Sequence, residues 1–150
     1  MSVIVVGVDQ SEQAKDTLRF ALEEAKLRHA KLRLVHAWQY APIGTAGVES
    51  FYPAAGADVS EVRDAAEQAL EQTLRESLPD TNALEVERRL VEGSPAGVLV
   101  NESRDADMLV VGSRGRGGFS ELLLGSVSQQ VAHHAACPVV IVRPKAKDGE

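Results

Sequence analysis

The chain has 150 residues, 44% hydrophobic and 25% charged, with a formal net charge of −6. That length suffices for one domain with a sizeable core, and the acidic balance argues against non-specific attraction to nucleic acid. A single cysteine, Cys137, excludes an intramolecular disulfide, and no stretch approaches the roughly 20 apolar residues of a membrane span.

Aromatic residues make up only 4% of the chain, so the core must be built from Val, Leu, Ala and Ile. Residues 3–8, Val-Ile-Val-Val-Gly-Val, are a continuous β-branched run ending at Asp9, the pattern of a strand buried on both faces of a parallel sheet. The run has no basic start and soon meets a charge, so it is not read as a signal peptide, and the expected location is the cytoplasm. Ser11 is a candidate N-cap for a helix whose face carries Ala14, Leu18, Leu22 and Ala25. A second apolar strand, Leu32 to Trp38, follows and completes a βαβ unit, whose crossover is right-handed.

Residues 39–57 carry Pro42, Gly44, Gly47, Pro53 and Gly56, and read as a long functional loop without secondary structure. Asp58 is expected to cap a helix with Val59, Val62, Ala66, Leu70 and Leu74 on one face. Residues 84–91 alternate apolar and charged, as a half-exposed strand near an edge does. Ser94-Pro95 gives an N-cap followed by proline at the first helical position. A buried strand then spans 107–112, a helix runs through Val127, Val131 and Ala135, and the last strand is residues 138–142. Five strands alternating with four helices predict a single α/β domain with an open, doubly wound parallel sheet in the order 3-2-1-4-5. Ligands in such sheets sit beyond the carboxyl ends of the strands where the winding reverses, here at Asp9 and Gly112.

Residues 112–128 are glycine-rich, yet they fit neither standard phosphate motif. The P-loop requires a lysine after its second glycine, and here Gly117 is followed by Gly118 and Phe119. The dinucleotide fingerprint requires a third glycine where Ser120 stands. The physics of anion binding still applies: Gly115, Gly117 and Gly118 free the backbone, Arg114 and Arg116 add positive charge, and Gly125-Ser126 opens a helix. The opposing reading is a surface loop whose glycines only make a turn.

The spacing Gly112-x2-Gly115-x9-Gly125-Ser126 resembles the signature of the ATP-binding branch of the universal stress protein family. The resemblance runs over about residues 2–143 and includes Val-Gly-Val-Asp at 6–9, Leu-Val-His-Ala at 34–37, Glu-Gly-Ser-Pro at 92–95 and Cys-Pro-Val-Val-Ile-Val at 137–142. It implies that Asp9 lines the nucleotide site and reaches Mg²⁺ through it, and that the backbone of Ala37 meets adenine. Gly112, Ser113, Arg114, Gly115, Arg116, Gly117 and Gly118 fall where ribose and phosphates are contacted. Gly125, Ser126 and Val127 fall where phosphate is held at a helix start. Gln10 departs from the small residue usual beside the aspartate, and the 39–57 loop transfers nothing.

Asp9 has a second reading as a plain helix cap. His133 and His134 diverge on a helix and cannot share one metal, and His36 reads as a core histidine. No catalytic residue is expected: Ser113, Ser120 and Ser128 lack a visible base, so Cys137 and the serines are read as structural. The last strand, Val139 to Val142, is an apolar edge, which an isologous dimer would cover, and the resemblance implies the same dimer. The expected function is an ATP-binding stress-response sensor, with cyclic AMP as another adenine ligand. A slow Mg²⁺-dependent ATP hydrolase and a protein scaffold with structural nucleotide are the competing expectations.

Overall fold

The computed structural model describes residues 1–9, 13–39, 58–77, 84–113 and 124–144. In chain order these form β1 (Val3–Gly7), α1 (Ala14–Arg28), β2 (Lys31–Trp38), α2 (Val59–Ser77), β3 (Val86–Glu92), α3 (Pro95–Glu102), a 3-10 turn (Ser103–Asp105), β4 (Met108–Gly112), α4 (Ser126–His134) and β5 (Val139–Val142). The five strands make one sheet in the order β3-β2-β1-β4-β5, every pair parallel. This is the predicted α/β architecture. The winding reverses between β1 and β4, which pair through Ile4–Met108, Val5–Leu109 and Val6–Val110.

Strand side chains alternate between faces, and that alternation divides the core in two. Ile4, Val6, Leu32, Leu34, Met108 and Val110 bury against Leu18, Ala21, Leu22 and Ala25 of α1 and Leu70 and Leu74 of α2. Val5, Val35, Leu109 and Val111 face the other way, against Val98 and Leu99 of α3 and Val131 of α4. The uninterrupted apolar runs of β1 and β4 follow from helices covering both faces. At the two edges burial falls away: β3 has no buried residue, with Arg88 and Glu92 exposed and the others partly exposed, and all four residues of β5 remain partly exposed.

The helix starts follow local chemistry. Asp58 Oδ1 accepts from the Glu61 amide at 2.9 Å, and Glu61 Oε2 accepts from the Asp58 amide at 3.3 Å, a reciprocal capping box. Ser94 Oγ accepts from the Gly97 amide at 3.3 Å, with Pro95 at the first helical position. Ser11, Arg114 and the 39–57 loop tip at 40–57 lie outside the described residues. Each strand differs from the sequence expectation by a residue or two at its ends: β2 begins one residue earlier at Lys31, β3 spans Val86–Glu92 and not 84–91, and β5 begins at Val139. β1 stops at Gly7, although the Val8 amide still donates to Val35 O at 2.9 Å. Asp107 stays outside β4 because its carboxylate takes the Val3 amide at 2.8 Å, which anchors the start of β1.

Arg33 is the exception inside the apolar run of β2. It lies on the α3 side of the sheet, 5% exposed, and its guanidinium meets Glu87 (3.1 Å), Glu102 (3.2 Å) and Asp105 (2.9 Å). Arg89 completes the network by bonding Glu87 at 2.7 Å and both oxygens of Glu102 at 3.0–3.1 Å. The Arg89, Arg33 and Lys31 cations together hold the Glu87 carboxyl at about 2, well below its ordinary 4.5.

Candidate functional site

The carboxyl ends of β1, β2 and β4 converge where the winding reverses. At β1, Asp9 is half-buried just past the strand end. His36, buried on β2, bonds the neighbouring Val8 carbonyl through Nδ1 at 2.8 Å. A carbonyl only accepts, so Nδ1 carries the proton and the imidazole pins the end of β1 to β2. Burial pushes the His36 pKa below its ordinary 6.5, and the Val8 hydrogen bond and the Asp9 charge only partly offset this.

A base held neutral in the fold but free to protonate when unfolded stabilises above its unfolded pKa. That contribution is lost as pH falls through the depressed folded value. Stability against urea should therefore decline below pH 6.5, the ordinary histidine value. His36→Gln should flatten that decline, and an unchanged pH profile in the variant would contradict this role.

Ala37, partly buried on β2, lies in register with Val91 of β3 and packs on the α3–α4 side. Two residues on, Gln39 Oε1 is buried without a hydrogen-bond partner among the described residues. Nothing in a strand-terminal glutamine marks its oxygen as buried, so the sequence gives no signal for Gln39.

The two ends of the glycine-rich segment meet at the end of β4. The Gly125 amide donates to Ser113 O at 2.7 Å, and Ser128 Oγ lies 3.2 Å from the same carbonyl and 2.9 Å from Gly125 O. The Ser113 amide donates to Val142 O at 2.9 Å, which ties this junction to the end of β5. Ser113 is 1% exposed, so its side chain serves the base of the segment. Gly125 stands at the N-cap of α4 in extended conformation with no side-chain cap. The first amides of α4, from Ser126 and Val127, are thereby left to other acceptors, and they sit at the positive end of the helix dipole. Arg114, Gly115, Arg116, Gly117 and Gly118 lie outside the described residues.

Gln13 was also missed. Its Nε2 donates to Val142 O at 2.8 Å and reaches Ser113 Oγ at 3.2 Å. A signal existed in the sequence: Gln13 and Thr17 share the helical stripe of buried Ala21, at four-residue spacing. Asp9 places a carboxylate just past the end of β1, and no cluster of three metal-ligating side chains occurs among the described residues. That donor set suits magnesium only in company with nucleotide phosphates, the ion's usual mode.

The sequence matches the universal stress protein family over residues 1–143. It is 38% identical to universal stress protein Rv2005c of Mycobacterium tuberculosis over 143 residues, 93% of this chain and 45% of that protein. It is 28% identical to universal stress protein YxiE of Bacillus subtilis, covering 93% and 97%. The chain spans about half the length of the mycobacterial relatives it matches. Among solved structures, the fold resembles an Archaeoglobus fulgidus universal stress protein in complex with dAMP, at 26% identity, TM-score 0.62, and coverage of 95% and 98%. It also resembles a universal stress protein in complex with cAMP, at 26% identity, TM-score 0.59, and coverage of 96% and 98%. With its parallel 3-2-1-4-5 sheet and a near full-length match, the chain belongs to the universal stress protein family.

Proposed function

We propose that this protein binds an adenine nucleotide, with ATP as its ligand, where β1 and β4 end, and that occupancy serves a stress response by sensing or buffering. The observation that carries this reading is the closure of the glycine-rich segment: Ser113 O and the Gly125 amide join at 2.7 Å, directly before α4. A glycine-rich segment pinned at its base and continued by an uncapped helix start is suited to phosphate. Adenine would lie against the end of β2, at the Ala37 backbone, with Gln39 Oε1 as a nearby acceptor. Asp9 would meet Mg²⁺ only through the bound nucleotide. The dAMP and cAMP complexes of related proteins support an adenine ligand.

Binding without catalysis is the favoured reading. His36 at this end of the sheet is engaged with Val8 O, and burial keeps it poorly basic. The Ser113 hydroxyl accepts from the Gln13 carboxamide and the Ser128 hydroxyl lies against the Ser113 and Gly125 carbonyls, contacts that stabilise the segment's base. A cytoplasmic homodimer formed by antiparallel pairing of two β5 strands accompanies this reading, since that pairing would cover an apolar edge. Replacing Gly115 and Gly125 by bulky residues should abolish ATP binding in calorimetry while leaving the dimer intact in sedimentation. Retained affinity in the double variant would contradict the assigned site.

A further inference from the structure

The first described residue of the α1 segment, Gln13, makes no side-chain capping bond to its own helix. Its carboxamide instead crosses the sheet end to partners 100 and 129 residues away in sequence. Val142 O accepts both from Gln13 Nε2 (2.8 Å) and from the Ser113 amide (2.9 Å), which together use both of its lone pairs. Ser113 in turn is bonded through its hydroxyl to Gln13 and through its carbonyl to Gly125. α1, β4, β5 and the start of α4 are thus joined at one junction.

The junction is closely fitted. A Cβ on Gly112 would lie 3.1 Å from Gln13 Oε1 and 3.1 Å from Thr17 Oγ1, so the absence of a side chain there makes room for the carboxamide. Thr17 Oγ1 donates to Gln13 O at 3.0 Å and holds the helix start in place. Thr17 and Ser113 are each 1% exposed, so little water competes for these contacts.

Resting on the nucleotide reading above, we propose that Gln13 is a positioning residue for phosphate: it fixes the Ser113–Gly125 junction against β5 and so aims the first amides of α4, those of Ser126 and Val127, at the polyphosphate. An anion held by backbone amides depends on the direction of each N–H, and at the start of α4 that direction depends on how rigidly the Ser113–Gly125 junction is held. Adenine recognition at the end of β2 shares none of these contacts. Gln13 should therefore govern the phosphate part of the affinity and leave the nucleoside part alone.

The test is calorimetry with ATP and with adenosine on full-length wild type, Gln13→Met and Gln13→Glu, alongside thermal unfolding. Gln13→Met keeps the length and removes both donor hydrogens; Gln13→Glu keeps the size and faces Val142 O with a carboxylate. Both variants should raise the Kd for ATP about tenfold, the value of one well-made hydrogen bond, and leave adenosine affinity unchanged. A merely structural role would shift both ligands together or neither, and either result overturns the inference. If Gln13→Met fails to fold, the ratio in Gln13→Glu decides in the same way. Wild-type protein that binds neither ligand overturns the nucleotide reading and this inference with it. Wild-type protein that binds ATP, with an unmoved ATP-to-adenosine ratio in the variants, overturns the inference alone.

Discussion

Replacing Arg33 by alanine should destabilise the protein by about 3 kcal/mol, near the lower bound for breaking a buried ion pair. For a chain of this size that is a fall in Tm of about 6–12 °C. The guanidinium is buried and neutralises three carboxylates from β3, α3 and the 3-10 turn. After its removal Glu87 retains Arg89 and Lys31, and Glu102 retains Arg89, which keeps the cost from rising further. Asp105→Asn should cost under about 1 kcal/mol, because that side chain is 65% exposed and water replaces its partner. Chemical denaturation of the two variants side by side checks the contrast. Equal losses would show that burial does not set the energetics of this network.

The network also fixes a pH dependence. A carboxyl depressed in the folded state stabilises above its unfolded pKa and loses that contribution as pH falls through the folded value. For Glu87 the window runs from 4.5 down to about 2, and removing Arg33 should make the acid-induced loss shallower there. These groups gather near the amino ends of the strands, away from the carboxyl ends that form the candidate site. Arg33→Ala should accordingly keep its nucleotide affinity at temperatures where it remains folded.

Gly112→Val is the second large effect, and here stability and binding should fall together. The added Cβ would sit 3.1 Å from both Gln13 Oε1 and Thr17 Oγ1 and 3.3 Å from Gln13 Cδ, and the γ-methyls would reach beyond it. The Gln13 side chain would have to withdraw, releasing Val142 O and Ser113 Oγ. Overpacking of this kind costs about 1–3 kcal/mol. The loosened base should weaken ATP binding by at least about tenfold, as loss of a well-made hydrogen bond does. Gly112→Ala should show a fraction of both effects, since a shift of a few tenths of an ångström relieves its contact. Valine accommodated with wild-type stability and affinity would contradict the proposed junction.

The architecture was legible because its signals are periodic and redundant. β1 and β4 are continuous apolar runs, Asp58 and Ser94 are helix starts written in local chemistry, and Val139–Val142 is a bare apolar strand. Strand order followed from the alternation of elements and the handedness of crossovers. The spacing of Gly112, Gly115, Gly125 and Ser126 marks the end of β4 as the place to test for a ligand.

What the sequence concealed was pairing at long range. Arg33 reads as an anomaly in an apolar strand, and its acidic partners stand 54, 69 and 72 residues away. No local pattern connects them. Gln13 reads as an ordinary helix-start residue, and its side chain is defined by contacts to β4 and β5. The resemblance puts Ser113 among the ribose and phosphate contacts, and no local pattern shows that its hydroxyl is buried against Gln13 at the base of the segment. Strand boundaries moved by a residue for a similar reason: Asp107 is drawn out of β4 by the Val3 amide.

The central claim is that an adenine nucleotide occupies the end of the sheet between Asp9 and Gly125. The most direct measurement is to denature the purified protein, identify any nucleotide released, and titrate the refolded, emptied chain with ATP. The expected result is an adenine nucleotide in the released fraction or saturable ATP binding with one site per chain, lost in the Gly115 and Gly125 double variant. No released nucleotide together with no binding of ATP or cyclic AMP would contradict it.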